Sequence, residues 1–254
     1  MKKSRDIEPR PGFFIRSGTF FFRYRDAISP AVFLTLLVAT RPRQPFGSES
    51  LDIWLDALGL LLSALGQTLR IAVIGLVYII RGGKGRKVYA EDLVTGGLFA
   101  VSRNPLYLAN LMIYFGLLVV WNGPAMYWIG VPFYLFLYTS IVATEEAFLR
   151  TKFGPSYEAY CHDVPRWIPN LGRLRPALAG LTFEGWRVVF KEYGTVAALL
   201  LTASMLLIAE TLSLSSYAAH TDRIRGLAGF MVLVIAVWGG TRWLKRRGRR
   251  RSRT

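Results

Sequence analysis

Two apolar runs in the middle of the chain constrain its fold more than any other feature. Leu106–Trp121 and Ala125–Thr144 are separated only by Asn122-Gly123-Pro124, and that triplet is a strong turn signal. A helix needs about 20 apolar residues to cross the hydrocarbon core of a bilayer. The two runs therefore predict a transmembrane hairpin that returns the chain to the face it left. Trp121, Tyr127 and Trp128 gather at the turn, as aromatic side chains do at a membrane interface. Polar clusters flank the hairpin. The first is Ser102-Arg103-Asn104-Pro105-Leu106-Tyr107. The second begins at Glu145-Glu146 and runs through Phe153-Gly154, Tyr157 and Tyr160 to Val164-Pro165-Arg166. A hairpin sets these two clusters side by side at one water interface.

Other apolar runs extend the pattern. Ala27–Thr40 is short and spans only by tilting or by borrowing Phe20–Phe22. Leu51–Ile80 is long and interrupted by Arg70. A charge at mid-bilayer is costly, so Arg70 should face protein or headgroups. Tyr193–Leu214 and Ile224–Leu244 form a second hairpin. Hydrophobic residues make up 52% of the chain and are bunched into these runs, which a soluble core of this size would not need. The expected fold is all-α: a polytopic transmembrane helix bundle of about six spans. The expected segments are a basic and aromatic interfacial stretch with a first short span (1–50), a core (51–170), a cytoplasmic connector (171–192), a terminal transmembrane hairpin (193–244) and a basic tail (245–254).

The formal net charge is +16, and much of the excess lies at the ends: Lys2, Lys3, Arg5 and Arg10, then Lys245 to Arg253. An even number of spans puts both ends on one side, and the positive-inside bias makes that side cytoplasmic. Anionic lipid is the expected partner of both basic ends. No folded basic domain accompanies them, so no nucleic-acid partner is expected. Arg41 and Arg43 would then lie outside, in mild conflict with the bias. The glycine-rich Arg81–Lys87 segment lacks phosphate-loop spacing and suits a basic turn. The single cysteine, Cys161, allows no internal disulfide, and with only His162 and His220 beside it no metal site is expected. Cys161 and His162 are treated as bystanders.

The clusters have chemistry of their own. Asn104 followed by Pro105 is a good helix start, since Asn can cap free N–H groups and Pro suits the first turn. The positive end of that helix, beside Arg103, suits a carboxylate or a phosphate. Glu145 and Glu146 lie about 100° apart on a helix, so they serve different purposes. Either could bind an ammonium or ribose hydroxyls, take a proton from an amine nucleophile, or simply pair at the surface with Arg150. Tyr157, Tyr160 and Trp167 offer flat faces to an adenine ring or a sulfonium, or else anchor the interface. Arg166 is a second cation within reach.

Taken in order, Gly97, Arg103-Asn104-Pro105-Leu106-Tyr107, Glu145-Glu146-x-x-Leu149, Phe153-Gly154, Tyr157, Tyr160 and Val164-Pro165-Arg166 resemble the isoprenylcysteine carboxyl methyltransferase and phospholipid methyltransferase superfamily. Gly59-Leu60-x5-Gly66-x2-Leu69-Arg70 resembles it too, so the likeness spans roughly 55–170. Asn104 stands where the family often has His, and Gly96-Gly97-Leu98-Phe99 replaces its Gly-Pro-aromatic segment. The resemblance implies an integral-membrane enzyme with an S-adenosylmethionine pocket at the cytoplasmic face and no metal. Arg103, Asn104, Tyr107, Glu145, Glu146 and Arg166 would line it, with Gly97, Tyr157 and Tyr160 near. Glu145 and Arg103 are the candidate catalytic residues. The methyl acceptor would be amphiphilic, an isoprenylcysteine-type carboxylate or a phospholipid amine, entering from the bilayer. A sterol-reductase-like NADPH enzyme and a non-enzymatic scaffold or transporter are the alternatives.

Overall fold

The computed structural model describes residues 12–77, 85, 88–214 and 220–251. The Arg81–Lys87 turn, apart from Gly85, and the basic N-terminal residues therefore lie outside the described chain. Every regular element among the described residues is helical. In chain order these are α1 (Phe13–Ala39), α2 (Glu49–Leu76), α3 (Pro105–Trp121), α4 (Val131–Phe153), α5 (Pro155–Asp163), α6 (Leu174–Leu178), α7 (Gly185–Leu214) and α8 (Thr221–Arg251). The central hairpin forms as the sequence predicts. Asn122 takes up the left-handed conformation (φ 47°) that ends α3, and a π turn over Met126–Gly130 leads into α4. Pro132 follows directly on this π turn, at the start of α4.

Among the described residues, four helices are long and apolar enough to cross a membrane: Glu49–Leu76, Met126–Phe153, Gly185–Leu214 and Thr221–Arg247. That is fewer than the expected count of about six. α3 is apolar but has 17 residues. α1 has 27 residues but carries Arg16, Arg23, Arg25 and Asp26. The terminal helices are longer than their apolar runs, since α7 starts at Gly185 and α8 stays helical to Arg251.

Close contacts fix how the helices run. α1 lies antiparallel to α4: the Thr144 hydroxyl donates to the Ile15 carbonyl at 3.0 Å, and the Tyr134 hydroxyl to the Ser29 carbonyl at 2.7 Å. α2 lies antiparallel to α3 along a seam of small residues. A Cβ on Gly59 would sit 2.6 Å from the Gly116 carbonyl oxygen, and one on Gly66 would sit 2.7 Å from that of Ala109. Between them Ser63 donates its hydroxyl to the Ile113 carbonyl at 3.1 Å. Small side chains let two helix backbones approach in this way where lipid supplies no hydrophobic drive. α7 packs on α2 and α3, and α8 packs on α7. The start of α3 and the ends of α2 and α4 thus share one end of the bundle with the start of α7, whose neighbour Glu184 donates its N–H to the Gly75 carbonyl.

The seam makes a measurable prediction. Gly66→Ala forces a methyl group against backbone that cannot turn aside, and overpacking of this kind costs about 1–3 kcal/mol. A Cβ on Gly229 of α8 meets nothing within 4 Å. Gly229→Ala should leave the melting temperature unchanged or raise it slightly, because alanine is the better helix former. Thermal unfolding followed by tryptophan fluorescence in detergent compares the two. Equal melting temperatures would remove the seam argument.

Candidate functional site

Gly154 builds one side of the site. It ends α4 and begins α5 with φ 51° and ψ −125°, a conformation that side-chain-bearing residues rarely adopt. The sharp corner folds α5 back beside the end of α4 and turns Tyr157 and Tyr160 inward, where both are buried.

The two polar clusters meet. Backbone and side chains lace them together: the Arg103 N–H donates to the Pro165 carbonyl at 2.9 Å, the Asn170 N–H to the Val101 carbonyl at 2.9 Å and the Tyr160 hydroxyl to the Phe99 carbonyl at 2.7 Å. Asn104 takes part, but not as the expected cap. Its side chain makes no capping bond to α3; its Nδ2 donates across to the Arg166 carbonyl at 3.1 Å. Satisfying a part-buried carbonyl between segments takes the amide group that a free helix end would otherwise attract.

Glu146 is the hub of the charges. It is 2% exposed. Arg166 grips it with two hydrogen bonds, one from Nε to Oε1 at 3.0 Å and one from Nη2 to Oε2. Arg103 Nη1 lies 3.4 Å from Oε1 and Arg150 Nη1 4.0 Å from Oε2. The hydrogen bond to Glu146 raises the pKa of Arg166 further. Burial raises that of Tyr157 and Tyr160, with Glu146 adding to the effect at Tyr157, so both phenols are neutral. The Cys161 sulfur takes a hydrogen bond from Arg103 Nη1 at 2.7 Å. His162 is exposed and contacts Asp163.

Glu145 points elsewhere. The Tyr107 hydroxyl donates to its Oε1 at 2.6 Å, and Arg25 Nη1 of α1 donates to that hydroxyl at 3.0 Å. The two glutamates thus divide, as helical geometry requires, with Glu146 held among arginines and Glu145 on the α1 side.

Both face a cavity of about 870 Å³, a size usual for small-molecule sites. Its polar end is lined by Arg25, Arg103, Asn104, Tyr107, Glu145 and Glu146, with Tyr157 and Tyr160 alongside. The opposite end is apolar, formed by Phe33 and Leu34 of α1, Ile113 and Leu117 of α3, and Leu199 and Met205 of α7. The segment 88–94 covers the polar end, tied down where Lys152 donates to the Ala90 and Glu91 carbonyls. Two of the expected pocket residues do not line it. Arg166 sits behind Glu146, and Gly97, buried with φ 60°, presses against Val77. Two lining residues carry a buried side-chain donor without a hydrogen-bond partner, Arg103 at Nε and Ser29 at Oγ.

Arg25 and Arg70 are cavity residues that the motif-based reading missed. Arg25 falls on the buried stripe of α1, between Phe22 and Ser29 at helical spacing. A lone charge on such a stripe was the available signal. Arg70 was expected to face protein or headgroups, and it faces protein. Its Nε and Nη2 donate to Glu192 of α7 at 2.9 and 3.2 Å, its Nη1 to Asn110 of α3. Among the described residues, no group of three or more His, Cys, Asp or Glu side chains is placed to hold a metal ion.

Residues 54–156 match the model of the phospholipid methyltransferase family, which lies in the superfamily of integral-membrane methyltransferases. Two relatives carry resistance names. The cobalt-zinc-cadmium resistance protein CzcN of Cupriavidus metallidurans is 30% identical over 131 residues, 51% of this chain and 58% of that protein. The nickel-cobalt-cadmium resistance protein NccN of Alcaligenes xylosoxydans xylosoxydans is 27% identical over 167 residues, 66% of this chain and 75% of that protein. The match thus spans little more than half of CzcN. No solved structure matches.

Proposed function

We propose that the chain is a membrane S-adenosylmethionine-dependent methyltransferase whose acceptor is amphiphilic and reaches the cavity from the bilayer. The observation that carries this reading is the cavity itself: charged and aromatic at one end, apolar at the other, and lined at the charged end by residues of both polar clusters. The residues fit the cofactor's chemistry. Arg103 has an orphan Nε donor suited to a carboxylate. The buried faces of Tyr157 and Tyr160 suit an adenine or a sulfonium. Glu146 and Arg166 would hold the wall in place rather than touch the ligand, and Gly97 would shape the turn before Arg103.

The cofactor, when bound, supplies a methyl group made electrophilic by a positive sulfur. The chain's own work is then to orient and to exclude water. The 88–94 segment covers the polar end, and the apolar walls of α1, α3 and α7 take the hydrocarbon part of an acceptor. An isoprenylcysteine-type carboxylate and a phospholipid amine both have the required shape. In this reading the polar end faces the cytoplasm, and the basic ends of the chain rest on anionic lipid.

Calorimetric titration of the purified protein in lipid nanodiscs with S-adenosylmethionine tests the proposal. Saturable binding is expected, weakened about tenfold or more by Arg103→Ala, which removes a charge-assisted contact. Folded protein that binds NADPH and not S-adenosylmethionine would replace this reading with a reductase.

A further inference from the structure

The Arg25–Tyr107–Glu145 chain has a direction that donor chemistry alone decides. A guanidinium donates hydrogen bonds and accepts none. The Tyr107 oxygen, 3.0 Å from Arg25 Nη1, must therefore accept. A phenol has a single proton, and Tyr107 has one further partner, Glu145 Oε1 at 2.6 Å. That proton points at Glu145, so Oε1 is an acceptor. The Arg25 guanidinium also lies 4.5 Å from the Phe22 ring centroid. Arg25, Tyr107 and Glu145 all line the cavity.

From this geometry we infer that Arg25 is a positioning residue which, through Tyr107, holds Glu145 as an ionised hydrogen-bond acceptor toward the cavity, so that the ligand group seated against Glu145 is a donor: an ammonium, a hydroxyl or a thiol. A carboxylate would meet Glu145 as a like charge. The inference deepens the methyltransferase reading and rests on it for the identity of the ligand. The orientation of Glu145 does not depend on that reading. Arg25 lies in α1, outside residues 54–156 that match the family.

Infrared spectroscopy of the protein in nanodiscs, with isotope-labelled glutamate, tests the orientation without any ligand. The wild type at neutral pH should show no protonated-carboxyl band that Glu145→Gln removes. Arg25→Met and Tyr107→Phe should each gain one such band, and adding Glu145→Gln should abolish it. Arg25→Lys, which keeps a donor-only cation, should not gain the band. A Glu145 band already present in the wild type, or none in either Arg25→Met or Tyr107→Phe, overturns the inference. If Arg25→Met fails to fold, Tyr107→Phe cuts the same chain and decides. Calorimetry with S-adenosylhomocysteine then identifies the donor. Weakening by about tenfold in Glu145→Gln assigns it to the cofactor's ammonium, and unchanged affinity assigns it to the acceptor. A failure to bind S-adenosylhomocysteine in the wild type would sink the methyltransferase reading and leave the infrared result standing.

Discussion

Glu146→Gln is expected to destabilise the protein by about 3–5 kcal/mol, the usual cost of breaking a buried ion pair from one side. The cause is the crowding of cations. Arg103, Arg150 and Arg166 all approach this one carboxylate, and glutamine leaves their charges facing one another. A loss of that size corresponds to a melting temperature lower by about 10 °C in a chain of this length. Glu145→Gln is the comparison. Its amide oxygen can still accept from Tyr107, so its melting temperature should fall by no more than a few degrees. Differential scanning fluorimetry of both variants in the same detergent measures the contrast. If the two fall equally, Glu146 is not the hub that joins α4 to the Arg103 and Arg166 segments.

The meeting of the two clusters was legible in the sequence because it follows from one turn. Asn122-Gly123-Pro124 folds the chain back, and whatever flanks the two helices must then share a face. The finer division of charge was not legible. Arg103 and Arg166 looked like a matched pair for a ligand carboxylate, yet Arg166 is taken up by Glu146. Sequence spacing shows which residues share an interface. It does not show which cation a buried carboxylate takes first, since that depends on the path of the chain between Gly154 and Arg166. Asn104 illustrates the same limit, because its amide serves a carbonyl 62 residues away rather than the helix it begins.

The helical fold was legible from apolar runs, and the ends of the helices less so. α7 begins at Gly185, well before its apolar run, because Glu192 is paired inside the bundle and no longer counts against a helix at that depth. α1 is the hardest case. Its arginines weaken it as a span in any window of composition, yet Phe22, Ser29, Phe33 and Leu36 form a buried stripe at helical spacing, and Arg25 rides on that stripe into the cavity. Charge on a stripe lowers hydropathy and, in the same residue, marks a side chain of the cavity wall. The glycines resembling the family's motif have a plainer meaning: Gly59 and Gly66 set the distance between α2 and α3, and so fix where Arg70 and Asn110 meet.

Arg70→Met is expected to cost about 3 kcal/mol or more, since it strips the guanidinium from a Glu192 that is 1% exposed in a low-dielectric interior. The pair joins α2 to α7, with Gln67 Nε2 adding a hydrogen bond to Glu192 Oε2 at 3.2 Å. Its importance reaches the cavity, because α7 supplies Leu199 and Met205 to the apolar wall. Glu192→Met alone should also destabilise, leaving Arg70 with Asn110 as its remaining partner of the two. The double variant should recover much of the loss, because a well-packed apolar pair often replaces a buried ion pair at little cost. A double-mutant cycle read by thermal unfolding separates this from general damage. Strong coupling, with the double variant more stable than Arg70→Met, supports a charge pair that fastens the terminal hairpin to the core. Additive losses would mean that α7 is held by its apolar face alone and that Arg70 serves the cavity instead.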